Sequence, residues 1–200
     1  MIAGIILAAG ASSRMGSPKA LLDYRGETFV GRLARVLSAS CDPVIVALGY
    51  HAETTRSAVP GNAVVMINPA PERGQLSSLQ TALAALPPEA EGFAFIPVDS
   101  PAVEPATVER LRDTFLRRDP ATLFVIPRHQ GKRGHPVFAT RTVVDELLAL
   151  PATGKASDVV HRHVPNTVYV DVDDPGILVD IDDPAAYRRL AVNQITESKP

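Results

Sequence analysis

Short, nearly continuous apolar runs punctuate the chain, and most are followed by a turn and then by apolar residues at helical spacing. Residues 4–9 form the first run, which stops at Gly10. Residues 43–49, 63–67, 93–98 and 122–126 repeat the pattern, and a shorter run at 137–139 follows Gly134. Such runs, bounded by turn residues, read as strands buried on both faces. Two later runs, 168–172 and 177–181, read as strands as well. Thr28 is an expected N-cap for a helix whose inner face carries Phe29, Leu33, Val36 and Leu37. Further helices are expected at 51–59, 75–86, 104–118, 142–150, 155–163 and 184–192, two of them stopped by Pro87-Pro88 and Pro151. A short extended piece at 21–27 turns at Arg25-Gly26. Strands alternating with helices predict an α/β fold with a mainly parallel sheet covered on both faces. In such sheets ligands bind beyond the carboxyl ends of the strands. No repeat or long linker interrupts the pattern, so residues 1–192 read as one domain and 193–200 as a flexible polar tail.

Composition narrows the function classes. The 200 residues are 46% hydrophobic and 21% charged with a net charge of −2, so no general attraction draws the chain to nucleic acid or anionic lipid. No apolar run approaches the roughly 18 residues needed to span a bilayer. Aromatic residues make up 5% and tryptophan is absent, which disfavours a base-stacking platform. Cys41 is alone, which excludes a disulfide framework and a cysteine metal cluster within the chain. Residues 2–11 imitate a signal peptide by ending in Ala9-Gly10-Ala11. No cationic side chain precedes them, however, and their removal would delete the first strand. A cytoplasmic protein is the expectation.

The stretch L-A-A-G-A-S-S-R-M-G-S-P-K, residues 7–19, is the strongest chemical signal. A buried strand delivers a glycine-punctuated backbone with Arg14 and Lys19 to one spot at a sheet edge. Main-chain N–H groups there can wrap an anion while the cations neutralise it, which suits a nucleoside triphosphate. It is not a Walker loop, because Ser17 follows Gly16, and it lacks the G-x-G start of the dinucleotide fingerprint. Asp99 follows the 93–98 run and would share that edge, either as a ligand of a triphosphate-bound Mg2+ or as a turn former before Pro101. In Asp180-Ile181-Asp182-Asp183-Pro184, strand alternation would put Asp180 and Asp182 on one face, with Asp183 capping a helix that opens at Pro184. Gly74, Ser77 and Ser78 stand at a helix start, where free N–H groups meet a phosphate or a base edge and where serines also serve as plain caps. Residues 128–137 gather Arg128, Lys132 and Arg133 with His129 and His135, which is either a solvated loop or a wall for a phosphorylated acceptor.

The 7–19 stretch resembles the signature loop of molybdenum-cofactor cytidylyltransferase-like nucleotidyltransferases (the MobA/MocA type), and the resemblance extends from Gly4 to about Tyr187. V-D-S-P-A-V around Asp99 resembles that family's acidic turn, D-I-D-D-P its closing D-I-D-T-P motif, residues 74–79 its G-M-S-S-S-L run, and Gly134-His135-Pro136-Val137 its G-H-P-V. The resemblance implies a three-layer Rossmann-like, glycosyltransferase-A-like fold with a mainly parallel mixed sheet. It also implies transfer of CMP from CTP to molybdopterin or its molybdenum form, with release of pyrophosphate and with a molybdoenzyme as eventual partner. Arg14, Lys19 and Asp99 would be catalytic, and Leu7, Ala8, Ala9, Gly10, Ser12, Gly74, Ser77 and Ser78 would line the nucleotide. Arg133 and His135 would meet the acceptor. Asp99 and Asp180 would hold Mg2+, with Asp182 in reserve. In that family L-A-A-G accompanies cytidine and L-A-G-G guanine, so Ala9 points to CTP over GTP. One segment departs: Thr153-Gly154-Lys155-Ala156-Ser157 stands where an acidic-Gly-Ala-Arg turn is usual. That leaves the acceptor open while the nucleotide chemistry stands. The other readings are a sugar-1-phosphate nucleotidyltransferase, a non-catalytic accessory protein that binds the cofactor, and a dinucleotide-dependent oxidoreductase, the last disfavoured for want of G-x-G-x-x-G. Retention of both Lys19 and Asp99 weighs against the second.

Overall fold

A computed structural model describes the backbone over residues 1–197 and side chains as far as Leu190. Its centre is β1 (Ile2–Ala8), buried along its whole length. After β1 comes a small antiparallel hairpin of β2 (Asp23–Tyr24) and β3 (Glu27–Thr28), turning where Arg25-Gly26 predicts. The chain then runs through α1 (Phe29–Ser38), β4 (Val44–Leu48), α2 (Ala52–Arg56), β5 (Val64–Ile67), α3 (Gln75–Leu83), β6 (Gly92–Pro97) and α4 (Pro105–Leu116). The second half adds β7 (Phe124–His129), β8 (Lys132–Arg133), β9 (Val137–Thr140), α5 (Val144–Leu148), α6 (Ala156–Arg162), β10 (Thr167–Asp171) and α7 (Pro184–Glu197). Strand order across the large sheet is β10-β7-β9-β6-β1-β4-β5, with β8 folded back on β7. β1 pairs in parallel with both β4 and β6, while β9 runs antiparallel to β6 and β7. The sheet is therefore mixed and mainly parallel, as the apolar runs predict.

Alternation along β1 divides the core in two. Ile2, Ile6 and Ala8 join the cluster that includes Leu33 and Leu37 of α1 and Leu111 and Phe115 of α4. Ala3, Ile5 and Leu7 join the cluster with Leu79 and Leu83 of α3, Leu147 of α5 and Val159 of α6. Burial on both faces is why these strands read as unbroken apolar runs. The Thr28 hydroxyl accepts from the Gly31 N–H at 3.2 Å, closing the start of α1 as the sequence suggests. At the root of β6, a Cβ on Gly92 would lie 2.5 Å from both the Ala139 carbonyl oxygen and the Phe115 ring. Gly92→Ala is therefore expected to cost about 1–3 kcal/mol through overpacking. Urea unfolding checks this, and an unchanged midpoint would contradict it.

Four expectations change. Residues 177–181 do not form a strand; Pro175–Leu178 make one 3-10 turn, capped by the Asp174 carboxylate on the Gly176 N–H at 2.8 Å, and extended backbone follows. Residues 128–133 are not a loose loop. β7 continues through His129 and returns as β8 across Gln130 (φ 48°) and Gly131 (φ 80°), the paired positive φ values of a tight hairpin turn. The 51–59 helix is reduced to the single turn of α2. The last helix extends past 192 to Glu197, and the rest of the anticipated tail, 198–200, lies outside the described residues. Among the described residues no helix is long and apolar enough to cross a membrane.

Candidate active site

Because β1 and β6 are parallel neighbours, the loop after Ala8 and the turn after Pro97 emerge side by side. Ser12 (φ 52°) and Gly16 (φ 70°) bend that loop through left-handed conformations. The Ser12 carbonyl accepts from the Met15 N–H at 2.9 Å, and its hydroxyl accepts from the Lys19 N–H at 3.0 Å. This fold-back aims the Lys19 side chain across the sheet edge, where its ammonium donates to Asp99 Oδ2 (2.9 Å) and Asp182 Oδ1 (2.8 Å). Arg14 reaches the same Asp182 oxygen at 3.1 Å. The Ile181 N–H donates to the Asp99 carbonyl at 2.9 Å while the Ile181 side chain is buried. Asp180 and Asp182 thus emerge together on the opposite side, as the alternation predicts, although one backbone bond and not a strand ladder sets it.

One oxygen from each of Asp99, Asp180 and Asp182 lies within 4.8 Å of the other two. Burial pulls the Lys19 pKa down, but the hydrogen bonds and charges of Asp182 and Asp99 outweigh it and hold it above the ordinary lysine value. Donation from Lys19, supported by Arg14, holds Asp182 below the usual carboxylate range. Asp180 is pushed up, first by burial and then by the neighbouring Asp99 and Asp182 charges. It has no hydrogen-bond or ion-pair partner among the described residues. A set of hard oxygen donors carrying uncompensated negative charge fits a Mg2+- or Mn2+-type cation.

Arg14, Lys19, Asp99 and Asp182 open on a cavity of about 240 Å³ also lined by Leu7, Ala8, Ala9, Gly10, Ser12, Gly74 and Ser78, whereas Asp180 stands exposed outside its lining. Gly74 (φ 87°) takes a left-handed conformation that leads into α3. Ser77 does not line this cavity. Its hydroxyl accepts from Asn68 Nδ2 (2.9 Å) and donates to the Gly74 carbonyl (2.8 Å), holding the turn before α3. Asn68 also donates to Ser78 Oγ at 3.1 Å and accepts from the Ala70 N–H at 2.9 Å, so this buried side chain organises the turn before α3. His51 and Thr55 line the cavity too, and His51 Nε2 lies 2.9 Å from the Ala11 carbonyl. None of Asn68, His51 and Thr55 is marked by a spacing pattern: Asn68 and His51 act on partners that only the fold brings near, and the buried Thr55 hydroxyl has no hydrogen-bond partner among the described residues.

A second cavity, about 680 Å³, adjoins the first through Gly74 and Gln75. Arg133 and His135 stand in its wall beside Phe95, Ile126 and Val137, and the departing segment 152–157 closes another side. Burial pushes the His135 pKa down, with the Asp99 charge opposing, and its ring meets Phe95 edge-on at 6.2 Å.

The topology and the groups gathered at this sheet edge place the protein among nucleotidyltransferases. More narrowly, residues 4–167 match the MobA-like NTP transferase domain, and the chain belongs to that family. A molybdenum cofactor cytidylyltransferase from Escherichia coli (strain K12) is 27% identical over 183 residues, covering 90% of each chain. A "Probable molybdenum cofactor guanylyltransferase" of Opitutus terrae is 37% identical over 112 residues, covering 56% of this chain and 54% of that protein. Crystal structures of Rv0371c from Mycobacterium tuberculosis H37Rv superpose with a TM-score of 0.78 at 36% identity, covering 95% of this chain and 97% of that one, and, in complex with manganese, with 0.73 at 32% identity, covering 94% and 97%.

Proposed function

We propose that the protein transfers CMP from CTP to a phosphorylated acceptor, molybdopterin or its molybdenum form, and releases pyrophosphate. The observation that carries this reading is the Lys19 ammonium held between Asp99 and Asp182 on a cavity that continues into a second, cation-bearing one. The acceptor phosphate is ionised at neutral pH, so it needs no general base. The chain's tasks are alignment and charge neutralisation. An acceptor oxygen attacks the α-phosphorus in line, its P–O bond forms as the bond to the β-phosphate bridge breaks, and Arg14 and Lys19 steady the departing pyrophosphate. Asp99 and Asp180 are the first choice as Mg2+ ligands, since Asp182 is already engaged by two cations. When bound, Mg2+ polarises the α-phosphate as a Lewis acid. The manganese complex of Rv0371c supports a divalent site in a relative.

Ala9 supports cytosine over guanine. Its Cβ lies 2.8 Å from where a Cβ on Gly49 would stand, so the loop is closely packed there. The apolar Phe95, Ile126 and Val137 beside Arg133 suit a phosphate carried on a flat ring better than a polyhydroxylated sugar phosphate. The same reading makes the protein cytoplasmic and a molybdoenzyme the eventual recipient of the product. Pyrophosphate release with each nucleotide, with and without molybdopterin, tests the function. The expected result is release with CTP and molybdopterin together, and labelled CTP displaced poorly by GTP. Release with sugar 1-phosphates in place of molybdopterin would replace the acceptor, and preferential GTP binding would replace the nucleotide.

A further inference from the structure

Three carboxylates that approach within 4.8 Å repel one another, and they come from two separate stretches of chain: Asp99 after β6, and Asp180 with Asp182 before α7. Lys19 bridges Asp99 and Asp182 but makes no hydrogen bond to Asp180 among the described residues, so further contacts must hold the two stretches in register. Asp174, buried at 6% exposure, lies at the start of the second stretch. Its Oδ2 accepts from the Glu104 N–H (3.0 Å) and from the Thr107 hydroxyl (2.7 Å), both at the start of α4, and its Oδ1 accepts from the Gly176 N–H (2.8 Å). Glu104 opens α4 without any side-chain cap of its own, so Asp174 supplies that cap from 70 residues away.

The surrounding contacts leave this seam little freedom. Gly176 packs so closely on the Ala102 carbonyl that a Cβ there would collide with it. Buried Arg32 grips the same turn from α1, with Nε on the Pro101 carbonyl (2.8 Å) and Nη2 on the Val103 carbonyl (3.2 Å). Further along, the Ile181 N–H reaches the Asp99 carbonyl. The two acidic stretches therefore meet along one seam, and Asp174 is the only carboxylate among the described residues that accepts hydrogen bonds from both sides of it.

We infer that Asp174 is a positioning residue: through Thr107 and Gly176 it fixes the spacing of Asp99 against Asp180, and thereby the affinity of that pair for a divalent cation. The inference rests on the proposed metal role of Asp99 and Asp180. Groups that orient metal ligands typically change affinity 10–100-fold when altered. A residue that only capped α4 would change stability alone.

The experiment titrates the full chain with Mn2+ in the presence of CTP, read by electron paramagnetic resonance, alongside CTP affinity in EDTA and the melting temperature. For Asp174→Asn, Mn2+ binding is expected to weaken by at least about tenfold while CTP affinity in EDTA stays within about twofold. Thr107→Val should weaken Mn2+ binding in the same direction by less, and Thr107→Ser should restore it. Asp99→Asn in the same titration reports on the metal reading itself and is expected to abolish tight binding. If Asp174→Asn and Thr107→Val lower only the melting temperature, or lower Mn2+ and metal-free CTP binding alike, Asp174 is a helix cap and the inference fails. If Asp99→Asn also leaves Mn2+ binding intact, the metal reading falls first. Should Asp174→Asn not fold, the Thr107→Val and Thr107→Ser pair decides alone.

Discussion

Lys19→Met is expected to lower turnover by about 10²–10³-fold, the usual scale for losing one electrostatic element aimed at developing charge. The lysine is charged in the resting site, because Asp182 and Asp99 hold its pKa above the ordinary value despite burial. Methionine keeps the length and removes the charge. The departing pyrophosphate then loses a counter-ion, and Asp99 and Asp182 lose the group that bridges them at 2.9 and 2.8 Å. Arg14 does not take over, since its guanidinium sits on the exposed part of the loop and among the described residues reaches only Asp182. Single-turnover pyrophosphate release at saturating nucleotide and metal is the measurement, with the melting temperature as a check on folding. A folded Lys19→Met protein within about tenfold of the parent rate would remove Lys19 from the charge-neutralising role.

The lysine could be picked out in the sequence because its loop follows an uninterrupted buried strand, and both features are local. β1, β4 and β6 are legible for the same reason, because residues covered on two faces have no polar register to hide in, whereas the parallel edge strands β5 and β10 are half-exposed. The 177–181 segment misleads because V-D-I-D has the period of a strand. Its alternation instead comes from one buried side chain, Ile181, and one backbone bond to the Asp99 carbonyl. Arg128 and Arg133 mislead in the opposite way. Their charge suggests a solvated loop, but Arg128 forms a bidentate pair with Asp171 at 2.7 Å, and both guanidiniums approach the Tyr169 ring, at 5.8 and 5.2 Å. A hairpin can carry such residues at the sheet margin, where their heads remain wet. Ser77 and Ser78 look equivalent in sequence and both accept from Asn68, nine and ten residues upstream, but Ser77 turns its hydroxyl to the Gly74 carbonyl while Ser78 lines the cavity. Asp174 was lost among the acidic residues of its region for a related reason, since its partners at Glu104 and Thr107 lie some 70 positions away.

The three clustered carboxylates are expected to fail differently when each is neutralised, and that difference assigns their roles. Asp99→Asn should lower turnover by about 10²–10³-fold and resist rescue by excess Mg2+ or Mn2+, because Asp99 serves both Lys19 and the proposed cation. Among the described residues Asp180 has no cation partner, and burial, followed by crowding from Asp99 and Asp182, already raises its pKa. Its neutralisation removes a ligand without freeing a lysine, so Asp180→Asn should shift the metal requirement upward and recover much of its rate at high metal. Asp182→Asn releases Lys19 and Arg14 together. It should leave the metal requirement nearly unchanged and lower the rate at every metal concentration. Metal titrations of pyrophosphate release on EDTA-treated protein separate the three curves. If Asp182→Asn moved the metal requirement and Asp180→Asn did not, the ligand would be the residue that Lys19 now holds. Divalent cation and ammonium would then have to compete for one carboxylate, and Lys19 would have to leave Asp182 before the triphosphate could be charged with metal.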